Sequence, residues 1–388
     1  MHLAHICLLL INLQRISSYN CNLPTSVPVK SVDSRLKLPN GFKAEIVGNV
    51  GAAREIVALP NGDLIVGTSN TQIFIIANAD GLSDPRAPQV FATLPDRPAH
   101  GVAFGSGYIF VATQLGVFRI PYKECALNGT IEKIASIRPN GGGGHTSTSL
   151  EVDGQTLYVS VGSSCNACKE TDPTRATIQT MGLDGSNMTT YARRWRNAIA
   201  ITRDPSTGIV WAGGAGQDNL PSGHPYEYLD PVSTRPAGSD YGWPECEENQ
   251  IAYVNGANCS NIVVPLIEFP AYATIMSAVS YPMIQTGEFH FPLTWHGGLF
   301  VSIHGSWHSG SNGPLIAPYV AFVPFTNGMP RKPVDWNDPT QQWSYFFTGF
   351  QDAAGRRIGR TTGLTIGPKG SLFVADDQTG NIYRIRPT

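Results

Sequence analysis

The sequence predicts an all-β chain folded as a six-bladed β-propeller with four-stranded blades, and three observations predict it. A turn signal followed by an apolar, alternating segment recurs six times: GDLIVGT from Gly62, GYIFVAT from Gly107, QTLYVSVG from Gln155, GIVWAGG from Gly208, GGLFVSIHG from Gly297 and GSLFVADD from Gly370. No stretch keeps a helical apolar period for three turns without Gly or Pro. The 41 Gly and 29 Pro among 388 residues supply the turns that many short strands need.

The six starts lie 45, 48, 53, 89 and 73 residues apart, against a period of about 40 to 50 for blades of several strands. Second strands follow at Gln72 to Ile76, Gly116 to Ile120, Ile178 to Leu183, Tyr319 to Phe325 and Asn381 to Ile385. The two long intervals must carry loop insertions, which in propellers gather on one face and build the active site. Phe42 to Val47 (FKAEIV) is expected to pair with Asn381 to Ile385, so that both ends of the chain complete one blade and no sheet edge stays open. Residues 21–388 then form a single domain. Residues 1–20, with an apolar core from Ile6 to Leu13, read as a secretion leader too short to span a bilayer.

The other signals agree on an oxidising, extracellular compartment. Three glycosylation sequons begin at Asn128, Asn187 and Asn258. Seven cysteines reduce to six once Cys7 leaves with the leader. Cys246 and Cys259 close a short loop, Cys165 and Cys168 form a C-x-x-C without the second pair that structural zinc needs, and Cys21 with Cys125 remains by elimination. A net charge of −2 gives no field toward nucleic acid or an anionic membrane.

Radial assembly points residues beside the inner strands at the mouth of the channel. Those residues are Arg54, His100, His145, Arg196 with Asn197, His304 and Arg360, each group from a different repeat. His145 follows four glycines, Gly141 to Gly144, which clear space for close backbone approach. Three arginines converging with histidines are costly to bury without an anion, so the implied ligand is compact, stackable and rich in carboxylate or phosphate. The segment Gly213 to Leu229 offers backbone carbonyls with Asp218, Asn219 and Glu227, the hard oxygen donors calcium prefers. Trp307, Trp243 and Tyr241 are candidates for a wall on which a pyranose stacks.

The segments GHTSTSLEVDGQTLYVSVGSSCNACKETDPTRATI, RRWRNAIAITRDPSTGIVWAGGAGQDNL, GSDYGWPEC, HGSWHSG and GRTTGLTIGPKGSLFVADD resemble the glucose/sorbosone dehydrogenase family, above all its fungal pyranose dehydrogenase branch, auxiliary activity family 12. The resemblance runs in order from about Leu38 onward. It implies a six-bladed propeller carrying pyrroloquinoline quinone (PQQ) and calcium. It implies that His145 is the base taking a proton from a sugar hydroxyl as hydride passes to the quinone, with Arg196 and Asn197 beside the quinone oxygens. Gly216 and Gln217 would offer carbonyls to calcium with Asp218 close by, Arg360 would hold PQQ carboxylates, and Arg54 would lie over the opposite rim. His100 completes the expected cofactor set. Soluble bacterial relatives use a Lys where this chain has His304. The chain contains neither the cytochrome nor the cellulose-binding module that fungal relatives carry, so the expected chain is a monomer handing electrons to a separate haem b cytochrome, with a copper polysaccharide oxygenase downstream. Two rival classes are a calcium-dependent propeller lactonase or esterase, which would not need the arginine cluster, and a non-catalytic glycan-binding propeller.

Overall fold

The computed structural model describes residues 23–220, 223–308 and 315–388. Six antiparallel sheets of at least four strands stand around a central axis, and among the described residues the only helices are single 3-10 turns at Val232–Thr234 and Leu293–Trp295. The innermost strands of blades one to six are Ala53–Ala58, Gly101–Gly105, Leu150–Asp153, Ala198–Arg203, Ile275–Ser280 and Thr361–Ile366. Each recurring segment of the sequence is the second strand of its blade: Leu64–Thr68, Tyr108–Ala112, Thr156–Val161, Val210–Gly214, Leu299–Ile303 and Leu372–Asp376. These strands read as unbroken apolar runs because neighbouring blades cover both of their faces.

The ring closes as expected. Phe42–Asn49 pairs antiparallel with Asn381–Pro387 in the register Phe42↔Pro387 to Asn49↔Asn381, making it the fourth strand of blade six, with the short Lys30–Ser31 outside it. Glu45 fastens the joint by accepting from Arg384 Nη2 at 2.9 Å and Arg386 Nη2 at 2.8 Å. The core is divided into six wedges, one between each pair of successive blades. For example, Leu59, Ile65, Ile109 and Val111 fill the first, and Tyr281, Phe300, Leu372 and Tyr383 the fifth. Every blade therefore depends on both neighbours for burial of its apolar faces.

Because adjacent strands are antiparallel, the entry of each inner strand and the exit of each second strand lie at the same end of the channel. Blade four adds a long excursion there: Gln217 Nε2 donates to Pro244 O at 3.1 Å, and the excursion is pinned by the Cys246–Cys259 disulfide. Insertions stand at the other end as well. The small hairpin Phe325–Thr326/Met329–Pro330 of blade five packs with Gly328 against Thr207, in the turn below blade four. The Cys165–Cys168 disulfide is also present. Cys21 and the leader residues 1–20 lie outside the described residues. Asn128, Asn187 and Asn258 are all exposed. No helix among the described residues is long and apolar enough to cross a membrane.

Candidate active site

His145 is held from behind by arginines that the sequence reading did not single out. Arg175 donates to the carbonyls of Gly141, Gly143 and Gly162, and Arg138 donates to those of His145 and Ser147. The glycine loop is thus bound through its own backbone oxygens. Gly144 has φ +64°, and a Cβ there would stand 2.5 Å from Ser164 O. At Gly162 a Cβ would meet Asn197 Oδ1 at 2.5 Å and His145 Cβ at 2.6 Å, so only glycine lets His145 and Asn197 share this corner.

The tautomer of His145 follows from its neighbours. Nδ1 lies 2.8 Å from Ser163 Oγ and 3.2 Å from Ser163 O. The one hydroxyl hydrogen of Ser163 is donated to Cys165 O at 2.7 Å, so Oγ accepts, and the carbonyl can only accept. Nδ1 therefore carries the proton and Nε2 keeps its lone pair. Burial, then the Arg196 guanidinium, push the histidine down to a pKa of about 4, which leaves it neutral across the physiological range.

Arg196 is nearly fully buried, 4% exposed, and points to one partner set: Nε to Asn166 O at 3.1 Å, Nη2 to Asn166 Oδ1 at 2.9 Å and to Asp218 Oδ2 at 2.8 Å. Asp218 also accepts from Trp307 Nε1 at 2.9 Å. Across the mouth, Asp377 ties the remaining candidates together. His304 Nε2 lies 3.1 Å from both its oxygens, and Arg54 Nη1 3.5 Å from Oδ2. Arg360 donates to the carbonyls of His304 and Gly305 at 3.1 Å each and has no carboxylate in ion-pair range among the described residues. Burial and Arg357 lower its pKa to about 10, against the opposing pull of the Asp377 carboxylate. A polar cavity of about 410 Å³ lies between Arg54, Ser69, Arg97, Gln114, Thr146 and Ser147.

Gly216 and Gln217 lie against Glu247, a residue the sequence reading missed. Glu247 is 1% exposed, its Oε1 has no hydrogen-bond partner, and burial raises its pKa to about 8. Oε2 lies 3.3 Å from where a Gly216 Cβ would stand, and no hydrogen bond among the described residues claims the carbonyl oxygens of Gly216 or Gln217. A buried carboxylate beside open carbonyls is a donor set suited to a calcium-sized cation.

The remaining candidates divide between the mouth and the core. His100 is fully buried just before the second inner strand, in the field of Arg54 and Asp377, its Nε2 3.9 Å from Glu55 Oε1 and neither ring nitrogen hydrogen-bonded. Glu227 accepts from the Ile275 amide at 3.1 Å beneath the mouth, a bond that fixes the start of the fifth inner strand. The Asn219 amide donates to Tyr272 Oη. Trp243 and Tyr241 are core residues, each 1% exposed, Tyr241 packing on Trp195 at 4.1 Å, whereas Trp307 is 56% exposed at the mouth. Asp377 ends the GSLFVADD repeat, and that acidic pair at a strand exit was the available signal.

No protein-family model matches the chain. A protein of Borreliella burgdorferi described as uncharacterized is 21% identical over 377 residues, 93% of each chain. Among solved structures, the PQQ domain of Coprinopsis cinerea pyranose dehydrogenase in its holo form superposes with a TM-score of 0.73 at 16% identity, over 94% of this chain and 99% of that one. The calcium structure of a Trichoderma reesei protein of Carbohydrate-Active Enzymes family AA12 gives 0.73 at 18% identity over 94% and 99%. The PQQ-bound aldose sugar dehydrogenase of Streptomyces coelicolor gives 0.59 at 15% identity over 90% and 99%. At these identities the likeness shows the fold, which this chain shares along nearly its whole length.

Proposed function

We propose that the protein is a secreted, calcium-dependent quinoprotein that oxidises a hydroxyl of a pyranose or related aldose or ketose, with PQQ as cofactor. The observation that carries this reading is a neutral histidine with a free Nε2 set on the same rim as three arginines, one of them without a carboxylate partner. The solved structures of like fold that are described as holding PQQ or calcium support the same choice.

The residues fit the group. Arg360 and Arg54 would hold the quinone's carboxylates, Arg196 and Asn197 would face its carbonyl edge, and Gly216 and Gln217 with Glu247 nearby would hold calcium. When bound, PQQ supplies a two-electron hydride acceptor and calcium polarises its carbonyl. The chain supplies the rest. His145 Nε2 takes the hydroxyl proton as the carbon–hydrogen bond breaks, and its Nδ1–H stays on Ser163, which steadies the imidazolium. Arg196 places positive charge where negative charge develops. Trp307, exposed beside Asp218, offers the sugar an apolar ring face. Electrons leave to an external acceptor such as a haem b cytochrome. The disulfides and the exposed sequon asparagines accord with secretion.

The lactonase reading gives no role to Arg196 and Arg360, the two arginines on which the present reading draws. The deciding assay is dye reduction with a panel of sugars, with and without PQQ and calcium. Sugar-dependent turnover that needs both is expected. Lactone hydrolysis with calcium alone would replace this reading.

A further inference from the structure

We infer that the disulfide-closed turn from Cys165 to Cys168 is the clamp that sets Arg196, Asp218 and His145 in register, with Asn166 as the positioning residue. This deepens the function proposed above and rests on it only for what the clamp serves.

Asn166 spends all of its side-chain polar atoms and its carbonyl on the site. Its backbone oxygen accepts from Arg196 Nε at 3.1 Å and from the buried indole of Trp243 at 3.0 Å. Its Oδ1 accepts from Arg196 Nη2 at 2.9 Å and from the Asp218 amide at 2.7 Å, and its Nδ2 donates to Asp218 O at 2.9 Å. One residue earlier, Cys165 O takes the Ser163 hydroxyl hydrogen, the bond that leaves Ser163 Oγ free to accept from His145. A ring of four residues thus touches Arg196, the backbone of Asp218, whose carboxylate pairs with that arginine, and Ser163 beneath His145, which come from separate segments of blades three and four.

The physical need for a cross-link is plain. The turn contributes no residue to a blade sheet, so without the disulfide its ordering would cost backbone entropy that these hydrogen bonds must offset. The covalent closure removes much of that freedom from the open form in advance. An amide bonded through both Oδ1 and Nδ2 is directional, and shifting it would take one acceptor from the buried Arg196 Nη2. Asn166 acts through Arg196 and is not itself catalytic.

The test uses the full chain in two variants, Cys165→Ser/Cys168→Ser and Asn166→Ala. By NMR without cofactor, hydrogen exchange at Arg196 Nε–H and Trp243 Nε1–H, both donated to Asn166 O, should quicken about tenfold or more in the double cysteine variant, while the Val301 amide in a blade strand stays at its wild-type rate. Calorimetric titration with PQQ and calcium should show affinity at least about tenfold weaker in both variants. If Val301 also exchanges faster, the double variant is globally perturbed, and Asn166→Ala, which keeps the disulfide, decides by the Asp218 amide and PQQ affinity together. Wild-type exchange at Arg196 and Trp243 in the double cysteine variant, or wild-type exchange at the Asp218 amide with wild-type PQQ affinity in Asn166→Ala, would overturn the clamp. A wild-type chain that binds no PQQ would sink the functional reading, while the exchange rates would still decide the clamp.

Discussion

At the scale of single residues, the proposed chemistry rests on His145 and the arginines. Replacing His145 with Ala should lower turnover about a hundredfold or more, the contribution of a positioned general base, while PQQ binding largely survives. The pH dependence has a definite sign. The folded histidine holds its proton with a pKa of about 4 against 6.5 as a reference, so the base form is present at every pH above that value. The histidine-linked limb of kcat/KM should fall only below about pH 5, and a limb near 6.5 would mean a different base. The same depression makes the native state bind fewer protons than the unfolded chain. Stability from this group is therefore complete above 6.5 and lost as pH falls through 4. His304 shifts in the same direction, with burial as the largest cause. Arg360→Lys keeps charge but loses the planar fork, and should weaken PQQ binding measurably by titration. Equal affinity would remove Arg360 from the cofactor set.

At the scale of elements, the site depends on loops that let backbone and side chains meet at the channel end. Gly162→Ala forces a methyl into Asn197 and His145. It should cost roughly 1–3 kcal/mol of stability, as overpacking does, and reduce turnover far more than its shift in Tm would suggest. A wild-type rate in that variant would show that the corner has slack. The same scale explains what could be read without coordinates. The six second strands were legible because each is covered on both faces and so writes an unbroken apolar run, and His145, Arg196 and Arg360 were legible because each directly precedes or nears an inner strand. Glu247, Asn166 and Asp377 were not. Their roles arise from contacts between segments distant in sequence, such as Arg54 with Asp377, which no local period records. Arg138 and Arg175 escaped for a related reason: they bind carbonyls rather than acids, so no charge pattern marks them. Trp243 misled in the opposite sense, since an aromatic beside Gly and Pro serves a wall or a core equally well and here serves the core.

At the scale of the whole molecule, closure by Phe42–Asn49 makes the ring one cooperative unit, since blade six otherwise exposes an edge and two wedges of core lose cover. Removing the chain through Asn49 should lower Tm by about 10 °C or more and broaden the transition in calorimetry. An unchanged, sharp transition would mean the other five blades hold without it. In the proposed site the arginines and the calcium-type donors share one mouth, so metal and quinone should bind jointly. The most direct measurement is calorimetric titration of the full chain with PQQ, in calcium and in chelator, on wild type and Arg196→Lys. PQQ should bind more tightly in calcium than in chelator, and Arg196→Lys should weaken binding in calcium. Equal affinity in calcium and chelator, or no binding at all, would contradict a shared quinone and calcium site at the channel mouth.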